Sequence, residues 1–149
     1  MINQKPAVIL CIGSEKIAGD SLGPVVGDLL TRKYNVRHYV YGTTERSVNG
    51  RNYKAYIDFI KKVHPDSTLI AVDAALGRED AVGKIRITAS GVNPKKAVTG
   101  KTCPVGDVGI LGVVDRFGAN SLTTLLTVPH DNIMKLGDKI AFMISSALA

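Results

Sequence analysis

Short unbroken stretches of branched apolar residues occur at 7–12 (AVILCI), 68–72 (TLIAV) and 108–114 (VGILGVV). This is the pattern of strands buried on both faces. Residues 36–41 (VRHYVY) read as a further strand, and 84–88 (KIRIT) as an alternating outer one. Between these runs the apolar spacing becomes helical: Val25, Val26, Leu29 and Leu30, then Tyr53, Tyr56, Ile57, Ile60 and Val63. A last helical stretch carries Ile133, Met134, Leu136, Ile140, Met143 and Ile144. Ser21, Asn52 and Asp131 are the expected N-caps, and Pro24 belongs near the first turn of its helix. The first half therefore reads β-α-β-α-β, which argues for a parallel sheet with right-handed crossovers. Residues 89–107 form a long Gly/Pro loop, and loops of that length are commonly functional. Residues 115–129 show no period that assigns them.

Two carboxylates stand where this topology makes them interesting. Asp20 lies on a Gly-flanked turn after the first strand, and Asp73 is expected at the C-terminal end of the third. In the common 2-1-3 strand order those two ends adjoin, at the switch point where α/β sheets bind ligands. Two acids in a partly dry cleft repel, so one pKa rises and the pair can share a proton. Such a pair can polarise a carbonyl and activate water. The same oxygens can instead hold a divalent metal, or each Asp can simply cap a local turn.

Composition narrows the choices. The chain has 149 residues, 45% of them apolar, enough for one domain over residues 1–149 with its own core. Its net charge is +6, but the basic residues are scattered and aromatics make up only 5%, so no base-stacking platform stands out and direct nucleic-acid binding is not expected. No apolar run is long enough to span a bilayer, and a cytoplasmic location is the default. Of the two cysteines, Cys11 belongs to the first strand as a core residue, and Cys103 has no evident base partner. Gly100-Lys101-Thr102 resembles the end of a phosphate loop, but Lys95 stands where that motif needs Gly. His38, His64 and His130 are isolated. Arg78, Glu79 and Asp80 read as a solvated turn.

The segments 12–27 (IGSEKIAGDSLGPVVG) and 71–77 (AVDAALG) resemble the YyaC-type sporulation protein family, and the later Gly/Pro loop and VGDVGILGVV segment follow in matching order. That family is related in fold to the spore germination protease and to the hydrogenase maturation endopeptidases. The resemblance implies a three-layer α/β/α sandwich around a mixed five-stranded sheet with one antiparallel strand. It also implies that Asp20 (in Asp-Ser-Leu-Gly-Pro) and Asp73 (in Val-Asp-Ala) match the two aspartates assigned to catalysis in the germination protease. In the hydrogenase endopeptidases the matching carboxylates bind nickel together with a His. Here Gly91-Val92-Asn93-Pro94 stands where the germination protease has Gly-Ile-His-Pro. Residues 115–129 depart from the family pattern.

The leading expectation is a peptidase of the germination-protease type with Asp20 and Asp73 as its acid/base pair. Asn93, Lys95, Lys96 and Lys101 would hold the substrate, a protein or peptide such as the small acid-soluble spore proteins. No cofactor is expected; if a divalent metal is used, Asp20 and Asp73 are its ligands. The alternatives are a peptide- or partner-binding sporulation protein without turnover and a metal-dependent hydrolase. By resemblance, the compartment is the forespore or mother-cell cytoplasm of a spore-forming bacterium.

Overall fold

In a computed structural model, residues 5–94 and 104–149 are described. Five strands form one sheet: β1 (Val8–Cys11), β2 (Tyr39–Tyr41), β3 (Leu69–Gly77), β4 (Ile85–Thr88) and β5 (Val108–Arg116). Their order is β2-β1-β3-β5-β4, with every pair parallel except β4 against β5. The helices are α1 (Leu22–Arg32), α2 (Tyr53–Val63), α3 (Ser121–Leu126) and α4 (His130–Ala147). Short 3-10 turns at Ala18–Ser21 and Glu79–Ala81 precede α1 and β4.

The alternation of side chains along each strand sorts the core into two layers. On one face Ile9, Cys11, Ile70, Val72, Ile110 and Val114 pack against Leu22, Val26 and Leu30 of α1 and Ile133, Leu136, Ile140 and Ile144 of α4. On the other, Val8, Leu10, Ile12 and Ala71 meet Tyr53 and Ile60 of α2, with Val48, Val92 and Val105 from loops. The architecture is thus the α/β/α sandwich with one antiparallel strand. β1 is buried on both faces because it carries apolar residues at both parities. Burial pushes the Cys11 thiol up, as a core residue requires.

Several local expectations are corrected. The second strand begins only at Tyr39, because Asn35 adopts a positive φ of 47° and Val36 turns into the α1/α4 layer. His38 precedes that strand; its Nδ1 accepts the Ala7 N–H at 2.9 Å. Ser21 does not cap α1: its hydroxyl donates back to the Ala18 carbonyl at 2.6 Å, closing the 3-10 turn. Asn52 ties the preceding loop together, accepting from Asn49 N–H and donating to the Ser47 carbonyl, instead of capping α2. Pro129 holds the N-cap position of α4, so Asp131 lies inside its first turn. The turn at residues 78–80 is solvated as expected.

Candidate active site

Asp20 sits on the 3-10 turn between β1 and α1. The backbone builds that turn tightly: a Cβ on Gly13 would lie 2.1 Å from the Asp20 carbonyl oxygen, so the approach is open only to glycine. The Ser14 N–H donates to the Asp20 carbonyl and to its Oδ2, both at 3.0 Å. A wall closes the far side of the turn. Gly19 lies against Leu125 of α3 and Val128, so near that a Cβ on Gly19 would come within 2.9 Å of both. This wall comes from the stretch that has no readable period. Leu125 and Val128 face inward, while Leu122 and Leu126 are exposed.

Asp73 is not at the end of its strand. β3 continues for four more residues, and Asp73 pairs across from Leu111 of β5. Ala74 and Leu76 keep the apolar alternation on the α1/α4 face, and the equally long β5 runs alongside, so the ladder persists past the carboxylate. Asp73 shares its strand parity with Ala71, which lies in the α2-side layer. Its Oδ1 accepts the Ala74 N–H at 2.9 Å.

The two acids are half-buried, and the charge of Asp20 reaches Asp73. Burial pushes Asp20 up to about 6 against the opposing pull of the Ser14 N–H. Burial first, and then the negative charge of Asp20, hold Asp73 well above the usual carboxylate range, with the Ala74 N–H pulling the other way. Both acids therefore resist ionisation more than an exposed carboxylate does.

Asn93 follows Val92, whose bridge to Val105 is part of the α2-side layer. Its Oδ1 is buried and, among the described residues, has no hydrogen-bond partner. Lys95, Lys96, Lys101 and Cys103 lie outside the described residues. His64 is engaged at the end of α2, where its Nε2 meets the Tyr41 hydroxyl at 2.8 Å. Among the described residues, no group of three His, Cys, Asp or Glu is placed to hold a metal ion.

The fold defines the class to which the chain is similar, that of the hydrogenase maturation proteases. The NiFe hydrogenase maturation protease HycI from Thermococcus kodakarensis KOD1 superposes with a TM-score of 0.66 at 20% identity, over 99% of this chain and 94% of its own. HybD from Thermococcus kodakarensis, a second NiFe hydrogenase maturation protease, gives 0.61 at 14% identity, over 97% of this chain and 100% of its own. The chain belongs to the DUF1256 family, described as a protein of unknown function, which matches residues 1–143. A relative in Bacillus subtilis strain 168, the uncharacterized protein YyaC, is 36% identical over 137 residues, covering 92% of this chain and 67% of the relative.

Proposed function

We propose that the protein is a peptidase in which Asp20 and Asp73 share one proton across the scissile carbonyl. The observation that carries this reading is that the charge of Asp20, on the turn after β1, raises Asp73 of the adjacent β3, with both carboxyls half-buried. The shared fold with maturation proteases supports it.

Asp20, ionised, takes a proton from water while the water oxygen bonds to the carbonyl carbon. Asp73 gives its proton to the carbonyl oxygen, leaving a geminal diol. Asp20 then passes its new proton to the amide nitrogen, the C–N bond breaks, and one diol hydroxyl returns its proton to Asp73 as the carboxyl product forms. Both acids end in their starting states, and general acid–base assistance of this kind accelerates a reaction by roughly 10²–10⁴-fold. The orphaned Asn93 Oδ1 is assigned to accept an N–H of the substrate backbone, which would supply its missing partner. Lys95, Lys96 and Lys101 follow it in sequence and are assigned to attract acidic stretches of the substrate.

The resemblance nominates small acid-soluble spore proteins as substrates and the cytoplasm of a sporulating cell as the setting. No described helix is long and apolar enough to cross a membrane. The test is incubation with those spore proteins and with a mixed peptide library, beside the Asp20→Asn/Asp73→Asn double variant, with products read by mass spectrometry. Discrete cuts that vanish in the double variant are expected. Absence of cuts from the folded wild-type protein overturns the reading and leaves a binding protein on the same fold.

A further inference from the structure

At one edge of the sheet, β2 and α2 enclose a cleft of about 450 Å³ lined by Val40, Tyr41, Thr43, Arg46, Tyr56 and Phe59. Its apolar wall is pre-built. The Tyr41 ring packs against Tyr56 and Phe59 with centroids 6.2 and 6.0 Å apart, both edge-on, and its hydroxyl is anchored on His64. Phe59 is nonetheless 48% exposed.

Among the described residues, β2 is paired on one side only. The Tyr39 N–H donates to the Ala7 carbonyl, so in the parallel ladder Tyr39 and Tyr41 face β1 and the N–H and C=O of Val40 point out of the sheet. The Val40 side chain packs in the α1/α4 layer, so what Val40 offers the cleft is this open backbone pair. Arg46 stands at the mouth on a turn held by the Thr43 N–H to its carbonyl and by its own N–H to the Thr43 hydroxyl. Among the described residues it forms no ion pair. Lys62 continues the Ala55–Phe59 stripe of α2 one turn further, and it is exposed.

We propose that this cleft docks an extended acidic peptide segment, which adds to the Val40 edge as a further strand, seats a large apolar side chain among Tyr41, Tyr56 and Phe59, and places a carboxylate on Arg46. An open backbone pair confers affinity for any extended chain. The aromatic wall and the unpaired guanidinium select the residues on either side of the pairing point. Arg46 disfavours a basic residue at the same position. The cleft adjoins the loop leading into the Asp20 turn through the Ser47 hydroxyl, which donates its one proton to Glu15 and also lies within hydrogen-bond distance of the Thr43 carbonyl. Docking requires no turnover, so the proposal stands apart from the acid pair's chemistry.

The test is fluorescence anisotropy with a labelled, acetylated Ser-Glu-Phe-Glu-Ser peptide on the Asp20→Asn/Asp73→Asn variant, which removes any cleavage. Three comparison peptides replace Glu by Lys, replace Phe by Gly, or N-methylate the Phe. The Glu–Phe peptide should bind saturably, and each change should weaken binding by about tenfold or more. Arg46→Glu should reverse the charge preference so that the Lys peptide now binds better, a gain that a misfolded variant cannot show. Amide shifts in NMR should centre on residues 39–46 and 55–59. No saturation up to about 1 mM, equal binding of Glu and Lys peptides, or shifts centred elsewhere overturns the proposal.

Discussion

The Ser14 N–H holds Asp20 twice, once by the backbone carbonyl and once by Oδ2, at 3.0 Å each. One carboxylate oxygen is therefore committed to the turn and the other is left for chemistry. An asparagine keeps an oxygen for Ser14 but cannot take a proton from water. Asp20→Asn should accordingly retain the fold, by circular dichroism and melting temperature, while cleavage falls by about 10²-fold or more. Asp73→Asn should likewise keep the native circular dichroism and lose cleavage, and retention of full activity by either variant rules out the acid pair.

The rate should be bell-shaped in pH. Asp20 must be ionised, so the acid limb should lie near its value of about 6. Asp73 must hold a proton, so the rate should fall again where that group, raised well above its usual range, finally ionises. In the Asp73→Asn variant the alkaline limb should be absent from whatever residual activity remains. A flat wild-type profile from about pH 5 to 9 contradicts this.

The same acids tax the fold. Both are raised in the folded state, so the folded chain binds their protons more tightly than the unfolded chain does. For Asp20 this stabilisation is complete below the ordinary value of 3.8 and is lost as pH rises through about 6. Asp73 extends the loss to higher pH. The melting temperature should therefore drop between about pH 5 and pH 8, and Asp73→Asn should flatten that drop and gain about 1–3 kcal/mol at neutral pH. Partly buried Asp138 and exposed Asp66, held below their usual range by hydrogen bonds from Tyr34 and Lys5 respectively, act in the opposite direction and only in stronger acid. A neutral-pH variant no more stable than wild type means that the site is wetter than its geometry implies.

Asn93 separates support from function. Its Oδ1 is buried without a partner among the described residues, so Asn93→Ala gives up no hydrogen bond to them at that oxygen and relieves an uncompensated group. Thermal stability should hold or rise, whereas KM for peptide should increase by about tenfold with kcat less affected. A loss of stability with unchanged KM would assign Asn93 to the scaffold.

Much of this arrangement is legible in the sequence, for identifiable reasons. β1 and β5 carry apolar residues at both parities, α2 runs over the residues its period marks, and the 2-1-3 order follows from the β-α-β-α-β reading. Together these bring the turn that carries Asp20 beside the strand that carries Asp73. Asp73 was expected at a strand end because apolar character breaks there, yet strand length is set by the partner, and β5 extends the ladder to Arg116. The α3 segment has no period because only Leu125 and Val128 face inward, too few to print a repeat. The cleft beside β2 draws Tyr41 from a strand, Arg46 from a turn and Tyr56 and Phe59 from a helix. Arg46 carries no periodic signal, and the spacing of Tyr56 within α2 marks the helix without revealing that its ring lines a cleft.

Gly19 tests the wall beside the acids. A Cβ there meets the Leu125 backbone carbonyl at 2.9 Å, a contact that side-chain rotation cannot relieve. Gly19→Ala should lower stability by about 1–3 kcal/mol and shift the acid limb of the pH profile downward as water reaches Asp20. An unchanged profile with intact activity would show that the wall has no part in setting that acidity.

A helix as short as α3, with six residues, cannot sustain itself in water; it persists because the Asp20 turn gives Leu125 and Val128 something to cover. That contact falls on Gly19, the residue before Asp20, so the shelter of the carboxylate on this side depends on a helix held by its neighbours and not by its own turns. Loosening of α3 would open this side of the turn to water and move Asp20 toward an ordinary surface acid.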